Sequence, residues 1–356
     1  MSDSTAAPRA EPGRSTPPEP FELGDYVPRI NLPDPTGRLV SLTHQSIAGG
    51  LVVLFCPADG ADLARWAQAI EVLSGLGGRL FVVTQAKLAL PAPLEGLIDA
   101  AGVIRPIFAL SDGGNGVIIL DSGGRFAARL VGEAANPPAV LNECHRLHQE
   151  TAPQMIAAQA PVIVLPNVIS SALCERLLHY WQEGEKRAGT VAQSGDRFAY
   201  DALIKQREDV LVTDDALMTE LMRAVRWCVV PAMRRAFNFE VAQAEAFRIG
   251  CYPAGKGYFR RHRDNTTANT DHRSFAISIN LNDDYVGGEL VFPEYGRMRY
   301  RPPACGAVIF SSALLHEALD VTEGRRFGIF SFFSDNAGAA RVAERLARQR
   351  SPHDSL

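Results

Sequence analysis

His262, Arg263 and Asp264, then His316 fifty-four residues on and Arg326 ten beyond that, oblige the fold to bring distant parts of the chain to one place. On a β-strand, positions i and i+2 share a face, so His262 and Asp264 can present an imidazole and a carboxylate to one ion. His316 closes the triangle. Two histidines and one carboxylate on one face of an octahedron leave three adjacent positions open, which suits a non-haem Fe(II) site that takes an organic co-substrate and O2 together. A structural zinc site fills all its positions instead. Arg326 completes the charge balance. The ion's two positive charges and the guanidinium's one offset Asp264 and a dianionic 2-oxo acid, as a buried site requires. The guanidinium can also hold the far carboxylate bidentately. Arg325 is its neighbour and points to the opposite face of a strand.

The setting of these residues carries more information than the tripeptide. The stretch from Phe247 through Tyr252, Gly257, Tyr258, His262 and Asp264 to Asn265 resembles the metal-binding core of the prolyl 4-hydroxylase branch of the 2-oxoglutarate, Fe(II)-dependent dioxygenases. Ile277–Asn282 is similar to that family's strand ending in Leu-Asn, and Gly287-Gly288-Glu289-Leu290 to its next turn and strand. His316, Val321, Gly324 and Arg326 resemble its closing motif, and the likeness spans about 243–335. It implies a double-stranded β-helix, or jelly-roll, with Fe(II) held by His262, Asp264 and His316 and the distal carboxylate of 2-oxoglutarate on Arg326. Tyr252, ten residues before His262, stands where relatives use a tyrosine hydroxyl against the co-substrate. Asn280 stands where some relatives carry a second such tyrosine. The resemblance further implies hydroxylation of an unactivated C–H bond, with succinate and CO2 as co-products and ascorbate as reductant, and it favours a prolyl residue of a protein or peptide. Arg260, Asn265 and Arg297 are candidates for the substrate mouth.

Residues 22–150 have another rhythm. Leu51–Cys56, Arg79–Thr84 and Gly116–Asp121 are short continuous apolar runs, the pattern of strands buried on both faces. A helical stretch over about 61–74 separates the first two, with Trp66, Ile70 and Leu73 at helical spacing and Gly75 placed to end it. The alternation predicts an α/β domain. Gly24-Asp25, Pro28, Leu32-Pro33-Asp34, Gly37, Leu54 through Asp59, and Ile119-Leu120-Asp121 resemble the peroxiredoxin group of the thioredoxin fold. Counting from Pro57, that family's active-site threonine falls on Ala61, its peroxide-attacking cysteine on Ala64 and its supporting arginine on Asn115. A methyl group forms no thiolate, so peroxidase chemistry by that route is not expected. The domain is expected to serve docking, substrate binding or dimerisation.

The chain thus reads as two domains, a thioredoxin-like α/β domain over 21–150 and the dioxygenase domain over 155–336. They are flanked by a disordered tail over 1–20, rich in Pro and Ser, and a C-terminal helix and tail over 337–356. Pro161–Pro166 reads as the first strand of the second domain. Ser170 or Ser171 can cap a helix carrying Leu173, Leu177 and Trp181, and a further helix from Thr213 carries Leu217, Leu221, Val225 and Cys228 until Pro231 disturbs it. Both helices should buttress the outside of the β-helix. Residues 185–210 show no clear period and are placed to cover the site's mouth. Arg341–Arg350 is the solvated face of a short helix.

A net charge of −4 gives no electrostatic reason to expect nucleic acid or membrane as partner. With no apolar leader and no run of about 18 apolar residues, a cytoplasmic location is expected. The expected partner is a protein, peptide or small-molecule substrate, and a homodimer is compatible with the sequence. The six cysteines form no Cys-x-x-Cys pair. The competing functional reading is a non-catalytic or redox-regulated scaffold, with Cys56 or Cys251 as the responsive thiol.

Overall fold

The computed structural model describes residues 19–42, 50–58, 60–111, 113–150, 159–193 and 197–350. Most of the tail expected over 1–20, Asp59 and the chain after 350 lie outside the described residues. The chain divides into two compact units, one of 1–22 and 27–152, the other of 23–26 and 153–356.

In the first unit the apolar runs become β1 (Val52–Cys56), β2 (Arg79–Thr84), β3 (Glu95–Ile98), β4 (Gly116–Leu120) and β5 (Phe126–Val131). They form one sheet in the order β3-β2-β1-β4-β5. The first three strands run parallel, and β4 and β5 are antiparallel to their neighbours. Strands β1 and β4 are buried along their whole length, as continuous apolar runs require. Helix α1 (Leu63–Gly75) starts at Asp62, whose carboxylate accepts the Ala64 N–H, and packs Trp66 face to face on Phe55 at 4.0 Å. It ends one residue later than expected, with Gly75 inside its last turn. Helix α2 (Pro137–Glu150) adds Val140 and Cys144 to the same core.

The polar groups at the end of β1 are spent on backbone. Asn115 accepts the Ala58 N–H at 2.8 Å, and Arg105 donates to the carbonyls of Cys56, Pro57 and Gly114. Burial pushes the Cys56 thiol up to about 12, so it is not a thiolate at neutral pH.

The second unit begins with β6 (Val162–Leu165) and α3 (Ser171–Glu183), where the Ser170 hydroxyl accepts the Leu173 N–H. The stretch 185–210, which shows no clear period in the sequence, holds β7 (Arg187–Ala188), β8 (Lys205–Gln206) and most of β9 (Glu208–Leu211). Helix α4 (Asp215–Ala224) starts behind an Asp214 cap, two residues later than the expected start at Thr213. It passes through a π-turn over Val225–Val229 into α5 (Val230–Phe237). Pro231 has no N–H for the Trp227 carbonyl, which accepts the Tyr26 N–H at 3.1 Å instead.

Then follow β10 (Arg248–Pro253), β11 (Tyr258–His262), β12 (Phe275–Asn280), β13 (Val286–Gly287), β14 (Leu290–Val291) and β15 (Arg299–Tyr300). The unit closes with β16 (Ala307–Ser311), β17 (His316–Ala318), β18 (Val321–Glu323), β19 (Arg325–Ser334) and α6 (Asn336–Arg350).

The larger sheet has the order β6-β16-β12-β19-β10-β9-β7, and the smaller β8-β11-β17-β14-β15. Alternation along the larger sheet sorts its side chains. Ile249, Cys251, Ile277, Ile279 and Ile329 face the helices and meet Leu177, Trp181, Leu221 and Met233. Tyr252, Ala276 and Val308 face the other way, into a second core with Leu290, Phe292 and Phe310. The helices therefore buttress one face and leave the other to the site. None of the described helices is long and apolar enough to cross a membrane.

Candidate metal centre and co-substrate pocket

His262 and His316 are cross-strand partners on β11 and β17. Asp264 is not on the strand, as the i, i+2 argument had it; β11 ends at His262 and Asp264 sits in the following turn. The Asp264 N–H donates to the Ser312 carbonyl at 2.9 Å, which brings its carboxylate back over the two rings. His262 Nε2 lies 3.4 Å from Asp264 Oδ1, and His316 Nε2 lies 3.5 Å from Oδ2. All three ligand atoms fall within 4.8 Å of one another.

The rings are fixed from behind. Nδ1 of His262 is 2.7 Å from the Arg260 carbonyl, and Nδ1 of His316 is 3.0 Å from that of Leu314. Donating Nδ1–H to a carbonyl leaves the Nε2 lone pair turned inward, the tautomer a metal needs. Buried His262 Nε2 has no hydrogen-bond partner, a state that a metal ion would relieve. Phe259 stacks on His262 with centroids 3.4 Å apart, and Phe310 meets His316 edge-on at 4.6 Å. Burial lowers His316 to about 4, with Asp264 opposing. Burial alone would raise the Asp264 carboxyl, but the imidazoles of His316 and His262 outweigh it and hold the group at about 2. A neutral His316 and an ionised Asp264 are the states in which these two donate to a divalent ion, and the orphaned Nε2 of His262 faces the same point. The donor set therefore fits the group the sequence implied.

Arg326 is buried while Arg325 is exposed, the alternation expected on β19. Its Nη1 donates to the Gly288 carbonyl at 2.8 Å and Nη2 to Ser278 Oγ at 3.0 Å, while buried Nε has no partner. Tyr252 is its cross-strand partner on β10, with the guanidinium 5.4 Å from the ring centroid. The Tyr252 hydroxyl accepts from Arg207 Nη1 at 3.3 Å. His262, Asp264, His316, Tyr252 and Arg326 all line one cavity of about 950 Å³.

Asn280 does not line it. Its Nδ2 donates to the Tyr285 hydroxyl and the Pro302 carbonyl, and Oδ1 accepts from Arg326, so it stands behind the arginine rather than against a co-substrate. At the mouth, Arg260 lines the cavity but is paired with Asp320; Asn265 and Arg297 are not in the lining. Cys251 faces the helices, opposite to Tyr252, and burial raises its thiol.

Lys205, Arg207, Asp209 and Glu245 also line the cavity and were not singled out from the sequence. Lys205 is on β8, Asp209 on β9 and Arg207 is the single residue between the two strands, in the stretch that shows no clear period in the sequence. Arg207 grips Asp209 through Nε and Nη2, at 2.5 and 2.8 Å. It lies against Gly250, where an added Cβ would come within 2.7 Å of it, and stacks over Phe330 at 4.1 Å. Across the cavity, the Glu245 carboxylate accepts from Arg273 at 2.6 and 2.8 Å and from His272 at 2.9 Å.

Residues 247–334 match the 2OG-Fe(II) oxygenase superfamily. A PKHD-type hydroxylase from Polaromonas sp. is 32% identical over 124 residues, covering 31% of this chain and 55% of the relative. The match thus spans little more than half of that curated relative. Among solved structures, a Trichoplax adhaerens prolyl hydroxylase in complex with a hypoxia inducible factor peptide fragment has a TM-score of 0.43 at 20% identity, over 51% of this chain and 87% of its own. A Pseudomonas putida prolyl-4-hydroxylase has a TM-score of 0.37 at 18% identity, over 50% and 94%. The C-terminal unit carries a 2OG-Fe(II) oxygenase domain.

Proposed function

We propose that this protein is a 2-oxoglutarate- and Fe(II)-dependent dioxygenase that hydroxylates an unactivated C–H bond and releases succinate and CO2. The observation that carries the reading is the orphaned, inward-facing His262 Nε2 beside Asp264 and His316, in one cavity with the partly unsatisfied guanidinium of Arg326. The opposed sheets are read as a double-stranded β-helix. His262, Asp264 and His316 would hold Fe(II), which supplies the oxidising chemistry that no side chain can.

The chain's own residues bind and orient. Arg326 offers a buried cation to the distal carboxylate of 2-oxoglutarate, with Ser278 and Asn280 fixing its plane. The Tyr252 hydroxyl, held by Arg207, points a donor into the same pocket. Phe259, Phe310 and Leu290 in the lining exclude water around the triad. The resemblance of 247–265 to prolyl 4-hydroxylases makes a prolyl residue of a protein or peptide the first substrate to try, with ascorbate in the assay to keep iron reduced.

The test is succinate release from 2-oxoglutarate by purified protein with Fe(II), ascorbate and O2, with His262→Ala and Arg326→Ala beside the wild type. Turnover present in the wild type and lost in both variants is the expected result. If no succinate forms and anaerobic Fe(II) with 2-oxoglutarate gives no visible charge-transfer band, the scaffold reading replaces this one.

A further inference from the structure

One wall of the cavity carries charge that the reading above leaves unused. Arg207 takes both oxygens of Asp209. Lys205 is left with the Thr190 carbonyl at 3.1 Å and Asp209 Oδ2 at 4.0 Å, the latter beyond hydrogen-bond reach. An ammonium has three donors, so among the described residues two are unspent, although the side chain is only 7% exposed. Its Nζ sits over the Phe259 ring, 4.9 Å from the centroid, and that ring stacks on His262. The ammonium is thereby fixed at the side of the triad and feels the charge of Asp264.

Arg248 acts on both Lys205 and Asp209, so three cations share one carboxylate among the described residues. The remaining arginines of the mouth are spoken for: Arg260 by Asp320, Arg261 by Glu317, Arg263 by Glu294 and Arg273 by Glu245. Iron, Asp264, 2-oxoglutarate and Arg326 balance one another, as do Arg207 and Asp209. Among the described residues Lys205 remains as a buried charge with no counter-ion of its own, a state that is costly unless a ligand supplies one.

We infer that Lys205, backed by Arg248, binds a carboxylate of the primary substrate and holds it beside the metal centre. The charge count around Lys205 and what is hydroxylated both rest on the dioxygenase reading; the experiment below reads the anion site separately. Burial, helped by Arg207, lowers the ammonium to about 7, with Asp209 and Asp264 opposing, so an arriving carboxylate would favour the charged form. A free acid, a chain-terminal carboxylate and an acidic side chain share this chemistry.

The experiment uses wild-type protein loaded with Co(II) and saturating 2-oxoglutarate, so that Arg326 is occupied. A limiting amine-acylating reagent is added at about pH 8, where an amine of lowered pKa is nucleophilic. Labelling of Lys205 is read by mass spectrometry against Lys87, Lys186 and Lys256. Acetate at about 0.2 M is expected to slow Lys205 labelling about threefold relative to equimolar acetamide and sodium chloride, leaving the other three lysines unchanged. Slowing by chloride to the same degree, or none by acetate, would overturn the proposal. Acetylproline and acetyl-aspartyl-prolinamide then distinguish a chain-terminal from a side-chain carboxylate by which protects at the lower concentration. Calorimetry of 2-oxoglutarate on the same Co(II) protein separates the two readings. Protection without 2-oxoglutarate binding removes the dioxygenase and keeps the anion site, and binding without protection does the reverse.

Discussion

Nη2 of Arg326 lies 3.3 Å from Oδ1 of Asn280, an amide whose own two donors are already committed to Tyr285 and Pro302. Asn280 therefore cannot flip, and its carbonyl oxygen is fixed toward the guanidinium. Truncating Arg326 to Met should weaken 2-oxoglutarate by the worth of a charge-assisted pair, about 2–3 kcal/mol or some 30- to 150-fold. Asn280→Ala loses only orientation, about 1 kcal/mol or roughly fivefold. Calorimetry on the Co(II)-loaded protein measures both. Equal losses would mean that Asn280 touches the co-substrate directly.

Glu245 should dominate the acid limb of stability. Burial alone would raise its carboxyl, but the donors of His272 and Arg273 pull it down to about 2. The folded value lies below the ordinary one of about 4.3, so the ionised form contributes stability that is fully present above about pH 4.5 and is lost as pH falls toward about 2. The contribution is at most on the order of 3 kcal/mol, reduced because the side chain is 25% exposed. Melting temperatures across this window should drop steeply in the wild type and less steeply in Glu245→Gln. Parallel curves would assign the acid limb elsewhere.

The Arg207–Asp209 pair predicts a non-additive cycle. Their side chains are 7% and 12% exposed, so Asp209→Ala leaves a buried guanidinium unpaired and should cost about 3–5 kcal/mol. Adding Arg207→Met to Asp209→Ala should recover most of that loss, with the Arg207→Met single closing the cycle. Urea unfolding of the four proteins reads the coupling, and additive losses would mean that the pair is screened by water.

Gly287 has φ +80, and an added Cβ would stand 2.2 Å from the Asp320 carbonyl oxygen. No side chain can yield there, because the obstacle is backbone. Gly287→Ala should destabilise the unit by about 2–4 kcal/mol and loosen the β13–β18 pairing that leads into Arg326. Thermal unfolding together with 2-oxoglutarate affinity checks this; a variant with wild-type values in both would show that the turn can relax.

The residues that hold chemistry were legible where function forces a residue type. His262, Asp264, His316, Tyr252 and Arg326 were all named from spacing or resemblance, and the structure gathers them in one cavity. The geometry was less legible. Asp264 sits in a turn, because a carbonyl of Ser312, forty-eight residues away, sets its position, and no local pattern encodes that contact. Asn280 was placed on the co-substrate, but its amide is consumed by Tyr285 and Pro302. Residues 185–210 show no clear period because strands of two to four residues are too short to display one, so Lys205, Arg207 and Asp209 were not singled out.

The long strand β19 pairs over most of its ten residues with β10 and β12, so the Arg326 side of the cavity is woven into the middle of the larger sheet. The Lys205 side is built from strands of two and four residues at the margins of both sheets. The two ends are thus exposed to mutation very unequally. On the proposed function, the charges at 205–209 can be exchanged and the substrate changed while the 2-oxoglutarate end stays as it is, because a change at Arg326 would disturb register throughout the sheet.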